Sequence, residues 1–325
     1  MTLPSFEEIA ASARVLSLPM RTRFRGITTR EVMLFEGPAG WGEFGAFTEY
    51  DDIEATSWLL AGIEMAWQGP PTALREFVDV NATVPAVPAA EVPDVLARYP
   101  GARTAKVKVA EKGQSLADDV ARVEAVRDLV PTVRVDANGG WTVYEAVIAL
   151  RALTENGDLE YAEQPCASVE ELAEVRDRVR GVSIAADESI RRAEDPMRVV
   201  RAGAADVAVV KVPPLGGMRA VLALAEELAE YGVPVVVSSA LDSAVGMSAG
   251  LAAAASLQSE MACGLGTGAL FVDDVAEPRV LVDGRLRADI AVPDPVRLDA
   301  LAASEERRRW WIARLERCCN VAADR

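Results

Sequence analysis

Two lysines lie two residues apart in the run Thr104-Ala105-Lys106-Val107-Lys108-Val109. The run reads as a strand. Alternation along a strand places both ammonium groups on one face and Val107 on the other. The chain contains no histidine. The commonest proton-moving side chain near neutral pH is therefore absent, and a strand-borne lysine is the leading substitute. Downstream, Asp136, Glu163 and Asp187 each end a short strand-like run, and Lys211 ends a fourth. Carboxylates on neighbouring strands repel one another unless a cation stands between them. Oxygen-only donors favour a hard divalent ion, Mg²⁺ with Mn²⁺ as a substitute, over zinc. Such an ion stabilises an enediolate. Flanked by Lys108 and Lys211, it suits removal of a proton α to a carboxylate, with one lysine as the base.

Taken singly, these signals have bland readings. Asp136-Ala137-Asn138-Gly139-Gly140 is also a turn, and Asp187-Glu188-Ser189 is also a helix cap. The ordered set, each member at a strand end, is far more specific.

For these residues to meet, their strands must lie side by side. Strand-like runs occur at Val78–Thr83, Thr104–Val109, Thr132–Asp136, Leu159–Glu163, Val182–Asp187, Val207–Lys211, Pro234–Ser238 and Met261–Leu265. Helical patterns separate them. The clearest is Ser115–Val130, with Leu116, Val120, Val123, Val126 and Val130 at helical spacing and a Ser115–Asp118 capping box. Leu172–Val179, Met218–Tyr231 and Ala244–Leu257 fill later gaps. Strands alternating with helices predict a parallel sheet, and eight such units predict a (β/α)₈-type TIM barrel, whose sites lie at the C-terminal strand ends. Alternation also turns Arg134 inward with Asp136, and Tyr161 with Glu163. An inward lysine needs a partner or a function, because burying a lone charge is costly.

The flanks differ from the repeat. Residues 22–49 read as strands joined by turns, with Gly37-Pro38-Ala39-Gly40 the strongest turn signal. Helical runs follow at Ile53–Gln68 and Ala73–Val78. Arg279–Ala288 reads as a hairpin through Asp283-Gly284, and Arg297–Arg317 as a charged terminal helix. We expect an α+β cap built from both chain ends over the barrel mouth. The expected segments are 1–78 for the first part of the cap, 79–288 for the barrel and 289–325 for the rest of the cap. Leu18–Arg25 is the cap segment expected to close over the site.

Composition narrows the partners. The chain has 325 residues, half of them apolar and 26% charged, the profile of a soluble globular protein. A net charge of −16 disfavours nucleic acid and anionic membranes. A small carboxylate remains a suitable partner, since local lysines set the field in a pocket. The run Ala244–Ala255 is too small in side chain to span a bilayer, and Gly246, Ser248 and Gly250 interrupt it. Met1 to Ala10 carries Glu7 and Glu8 and lacks a signal pattern, so the cytoplasm is the expected location. Cys166, Cys263, Cys318 and Cys319 have no zinc or disulfide spacing and read as reduced thiols. No pattern sets an oligomeric state.

At these residues the chain resembles the enolase superfamily, in its muconate-lactonizing-type subgroup, over nearly its whole length. A lysine or histidine base with Mg²⁺ is that superfamily's known pattern and comes with the resemblance. The resemblance implies Lys108 as the base, Lys211 as the opposing lysine, and Asp136, Glu163 and Asp187 as metal ligands. It implies Lys106 as an anchor for the substrate carboxylate, with Asn138 and Glu188 next to the ligands. Histidine-base members are excluded. Among lysine-base members the chain is most similar to the o-succinylbenzoate synthase family. It is short, Arg134 stands two positions before the first ligand, and Gly264-Leu265-Gly266-Thr267 lacks the Asp-x-Asp of dipeptide epimerases. The implied reaction is an Mg²⁺-dependent dehydration in menaquinone biosynthesis. Arg134, Ser238, Ser239 and Gly264 are the further substrate contacts expected. N-acylamino acid racemases and muconate cycloisomerases share the machinery and stay open at this point. A catalytically dead scaffold should have lost one of the six residues, and none is lost.

Overall fold

The computed structural model describes residues 3–191 and 195–324. Its first three strands, β1 (Arg14–Phe24), β2 (Ile27–Gly37) and β3 (Gly40–Phe44), form an antiparallel meander. The Gly-Pro-Ala-Gly turn joins β2 to β3 with Gly37 opposite Gly40. Gly40 sits at φ 130, which a side chain would strain. Two helices, Asp52–Gln68 and Glu305–Ala323, pack with this sheet. Phe35, Phe44, Trp58, Trp311 and Leu315 are buried in one core there. Phe44 meets Trp311 edge-on at 5.4 Å, worth about 0.5–1.5 kcal/mol beyond the area buried. Both chain ends thus build one cap.

Two helical expectations fail for stated reasons. Arg297–Arg317 is two helices, Pro295–Ala300 and Glu305–Ala323, capped by Asp294 and Ser304. The break follows β1: the Ser17 amide donates to the Leu301 carbonyl (2.8 Å) and the Ala303 amide to that of Val15 (2.9 Å). Ala73–Val78 is not helical. Pro70 and Pro71 precede it, and the Leu74 amide and Arg75 guanidinium donate to Ala255 and Ala254 carbonyls rather than to a local turn.

The strand expected as Val78–Thr83 is divided. Its first part belongs to β4 (Phe77–Asp79), which lies outside the barrel sheet. Among the described residues, seven strands then run parallel in chain order. They are β5 (Ala82–Val84), β6 (Thr104–Lys108), β7 (Thr132–Asp136), β8 (Tyr161–Glu163), β9 (Ile184–Ala186), β10 (Val207–Val210) and β11 (Val235–Val237). Alternation sorts their side chains. Val107, Val135, Ile184 and Val237 belong to the large core shared with the helices. Tyr161, Ala185, Val207, Val209 and Val236 form a separate small cluster, the inward layer of the barrel. The last strand, β12 (Arg285–Arg287), follows the Asp283-Gly284 turn and pairs antiparallel with β4.

The eighth stave is irregular. Met261–Leu265 forms no continuous strand but bridges both sheet edges, Val80 to Cys263 and Ser238 to Gly264. The Cys263 amide donates to Asp79 (2.7 Å) and the Gly264 amide to Val237 (2.8 Å). A Cβ on Gly264 would stand 2.5 Å from Ser238 Oγ, and one on Gly266 2.9 Å from the Asn81 carbonyl oxygen. The closing segment passes too near its neighbours for side chains at those positions. The result is a (β/α)₈-type barrel whose last member is reduced to bridges.

Candidate active site

Register decides the height of each functional side chain. Lys106 lies level with Arg134 and Tyr161, and Lys108 level with Asp136 and Glu163. Asp187 stands one residue beyond β9, and Lys211 one beyond β10. The upper rung thus carries carboxylates from neighbouring strands, with Lys108 at one side of the mouth and Lys211 across it. Asp136, Glu163 and Asp187 are each at most 1% exposed.

Every one of these carboxylates is met by a lysine. Lys106 Nζ donates to both oxygens of Glu163 (2.9 and 2.8 Å) and lies 3.3 Å from Asp136. Lys108 Nζ lies 2.5 Å from Asp136 Oδ2 and 2.6 Å from Asn138 Oδ1. Lys211 pairs with Asp187 Oδ2. Arg191 adds a bond to Asp187 Oδ1 at 3.1 Å and one to Glu188 at 2.6 Å. Burial works to raise the Asp136 carboxyl, but Lys108 and Lys106 outweigh it and hold the group far below the usual range. Burial is likewise overcome at Asp187, by Lys211 and Arg191. At Glu163 burial prevails, reinforced by the Asp136 charge, and pushes the carboxyl up to about 7. Lys106 is held well above its ordinary value. Burial opposes this, but Glu163 and Asp136 outweigh burial.

Three buried carboxylates, with oxygen the sole donor atom, form a set that fits a hard divalent cation. Glu163, buried beside Asp136 and Asp187, would gain from further positive charge. Among the described residues, no three acidic, cysteine or histidine side chains converge closely enough to hold a metal as they stand. Each carboxylate is turned to its lysine instead.

Part of this set opens into a cavity of about 900 Å³, with Glu163 and Asp187 outside its lining. Lys106, Lys108, Asp136, Asn138, Glu188 and Lys211 line it, and Ser238, Ser239 and Gly264 form another part of its wall. The Ser239 hydroxyl shares a hydrogen bond with Thr267, which sequence reading missed. The Gly264 amide is spent on Val237, so Gly264 contributes space rather than a donor. From the cap, Phe24 and Arg25 reach the cavity. The Phe24 ring lies 5.5 Å from Lys108 Nζ, and Arg25 stacks on Phe47 at 4.0 Å. The segment Leu18–Arg25 is therefore of two kinds. Leu18 is fully buried in the cap core, and only the strand's far end overhangs the site. A second cavity of about 380 Å³, beside Met247 and Phe271, is lined by Arg21 of that segment but by none of the predicted catalytic, metal or substrate-contact residues.

Arg134 is the exception and corrects the expectation. It is fully buried and one rung below the carboxylates. Its guanidinium stacks on Tyr161 at 4.6 Å and donates to Glu160, to Asn81 (3.2 Å) and to the Ala262 carbonyl (2.6 Å). It ties β7 to β8 and to the closing segment, away from the cavity.

One signal for the site was available and unused. The chain has only four lysines, Lys106, Lys108, Lys112 and Lys211, against arginine at every other basic position. All four line the large cavity. Arginine cannot lose its proton in proteins, whereas an ammonium's pKa moves readily, so lysine is retained where a removable proton or a compact charge matters. Arg191 had a signal too, being four residues from Asp187 on one helical turn.

Residues 89–295 match the family model described as Enolase C-terminal domain-like, and residues 15–66 the Enolase N-terminal domain-like model. The chain is 65% identical over 317 residues to the o-succinylbenzoate synthase of Mycolicibacterium smegmatis, covering 97% of this chain and 98% of that one. It is 64% identical to the o-succinylbenzoate synthase of Mycobacterium tuberculosis, over 98% and 97% of the two chains. Among solved structures it resembles a muconate lactonizing enzyme from Pseudomonas fluorescens complexed with muconolactone. The TM-score is 0.77 at 20% identity, covering 90% of this chain and 98% of that one. At that identity the likeness shows the fold alone.

Proposed function

The chain belongs to the o-succinylbenzoate synthase family of the enolase superfamily, and we propose that the residues assembled above carry out that family's reaction. The reaction is dehydration of 2-succinyl-6-hydroxy-2,4-cyclohexadiene-1-carboxylate to 2-succinylbenzoate, a carbon–oxygen lyase step of menaquinone biosynthesis. The enzyme is metal-dependent, with Asp136, Glu163 and Asp187 as the proposed ligands and Mg²⁺, or Mn²⁺ in its place, as the ion. When bound there, the ion supplies positive charge against the negative charge that develops on the substrate carboxylate.

The chain's own residues do the rest. Lys108 Nζ takes the proton α to the carboxylate. Hydroxide leaves the adjacent ring carbon, a double bond forms between the two carbons, and the ring becomes aromatic. The proton held by Lys108 balances the departing hydroxide as water. Lys211 stays protonated on the opposite wall, a fixed charge already oriented before reaction. Lys106 steadies the carboxylate, and the Ser238 and Ser239 hydroxyls face the succinyl arm. General-base removal supplies roughly 10²–10⁴-fold, so much of the acceleration falls to fixed charge. Basic side chains outnumber acidic ones around the cavity, although the whole chain is at −16. That local excess suits a substrate with two carboxylates.

The observation that carries the reading is the placement of Lys108 and Lys211 on opposite walls with three buried carboxylates between them. Among the described residues no helix is long and apolar enough to cross a membrane, and the cavity suits a small molecule. The test is ultraviolet absorbance of the cyclohexadiene with and without Mg²⁺, beside N-succinyl amino acids in deuterated water. Metal-dependent dehydration supports the reading. Exchange and racemisation with no dehydration would overturn it.

A further inference from the structure

The helix Leu116–Arg127 starts at the Ser115–Asp118 capping box and buries two charged side chains, Asp119 and Arg122. They are 3% and 1% exposed. Taking such a pair out of water costs several kcal/mol per ion unless further hydrogen bonds satisfy it. Here those further bonds run to the active-site backbone. Arg122 Nη1 donates to the Lys108 carbonyl at 2.8 Å and to Asp119 Oδ1 at 2.9 Å. Arg122 Nε donates to the Val87 carbonyl at 2.6 Å, and Nη2 donates to Gln114 Oε1. Asp119 Oδ2 accepts from the Ala110 amide at 2.9 Å, and Gln114 Nε2 donates to the Ala86 carbonyl at 2.8 Å.

These contacts converge on what surrounds Lys108. The residue lies at the last position of β6, where strand pairing ends. Two residues later Ala110 takes φ 61, a left-handed conformation that costs a non-glycine residue of order 1–3 kcal/mol unless its surroundings hold it. The Asp119–Arg122 pair grips the chain on both sides of Val109, just ahead of this reversal, at the carbonyl of residue 108 and the amide of residue 110. The same guanidinium holds Val87 directly and Ala86 through Gln114, and both residues line the cavity.

We propose that Arg122, oriented by Asp119, is a positioning residue for the catalytic base. It fixes the backbone from which the Lys108 side chain extends and sets that side chain's distance from the wall formed by Ala86 and Val87. Lysine has a long, rotatable stem, so its working position depends on a fixed root. The inference rests on the reading of Lys108 as the base.

The experiment compares Arg122→Met, Arg122→Lys and Gln114→Ala with the unmodified enzyme, each normalised to folded protein by circular dichroism. Misplacement of about 1 Å costs roughly 100-fold, so Arg122→Met should lower kcat by about that factor and leave KM within about threefold. Arg122→Lys, which keeps a cation and most of the bulk, should recover about tenfold of the loss. Gln114 is exposed, so its truncation leaves the fold intact. That variant decides the matter if Arg122→Met fails to fold, with kcat expected to fall about two- to fivefold. Wild-type kcat per folded enzyme in all folded variants would overturn the proposal, as would a loss carried by KM alone. Lys108→Ala is run in parallel. If it turns over normally the base assignment fails, whereas an inactive Lys108→Ala beside unaffected Arg122 variants sinks only the positioning role.

Discussion

Replacing Glu43 by Gln should make the enzyme more stable in alkali and leave it nearly unchanged in mild acid. Glu43 lies on β3 and reaches from the cap to the loop after β11. Its Oε2 accepts from the Ser243 amide at 3.1 Å and from the Ser243 hydroxyl. Burial pushes the Glu43 carboxyl up to about 8, the nearby Asp242 charge adds to this, and Ser243 and Arg30 oppose it. Asp242 is 2% exposed, and its Oδ1 has no hydrogen-bond partner among the described residues. Arg30, the nearest buried cation, spends its donors on the Leu241, Glu31 and Gly45 carbonyls. A carboxyl raised from 4.5 to about 8 favours its neutral form in the fold by on the order of 5 kcal/mol. The folded value exceeds the unfolded one. That stability is therefore fully present below pH 4.5 and is lost as pH rises through about 8. Glutamine does not titrate, and its oxygen can still accept from Ser243 while its amide faces Asp242. Urea denaturation should place Glu43→Gln within about 1 kcal/mol of wild type near pH 5 and about 2–4 kcal/mol above it at pH 9. A gap that is the same at both pH values, or no gain at pH 9, would refute the reasoning.

Lys108→Ala should abolish dehydration while circular dichroism and calorimetric Mg²⁺ binding stay near wild type; retained turnover would remove Lys108 as the base. Asp187→Ala should weaken Mg²⁺ binding by more than the roughly 10–100-fold that loss of an outer partner costs, as measured by calorimetry. Lys112 lines the cavity mouth without an assigned role in the chemistry, so Lys112→Ala should raise KM by about three- to tenfold and leave kcat within about twofold. Arg134→Met should lower stability by about 1–3 kcal/mol through its lost buried hydrogen bonds, with kcat/KM per folded enzyme unchanged. A selective rise in KM would instead return Arg134 to the substrate.

The barrel was legible because its signals are local. A β-branched run followed by a capped amphipathic helix says the same thing at each repeat, and the Ser115–Asp118 box forms as read. Where long-range partners compete, local reading failed. Leu301 and Ala303 bond to β1 rather than continue a helix. Leu74 and Arg75 bond to the end of the Ala244–Ala255 helix. Met261–Leu265 has the composition of a strand, but its neighbours approach Gly264 and Gly266 too closely for a regular one.

The residue types and their order along the chain determined which groups stand at the strand ends. Side-chain alternation is a property of each strand alone, so Lys106, Lys108, Asp136 and Glu163 could be assigned to inward faces with no partner known. Height within the barrel is different, because it depends on register between strands. Two residues along a strand move a side chain by about 6.6 Å. That step puts Arg134 a rung below Asp136, and there its bonds to Glu160, Asn81 and Ala262 keep it out of the cavity that Lys106, on the same rung, lines. Only the tertiary structure decided this, along with the pairing of Lys106, Lys108 and Lys211 to their carboxylates and the arrival of Phe24 and Arg25 from the cap. Those contacts join residues far apart in the chain, and no local pattern encodes the distance between them.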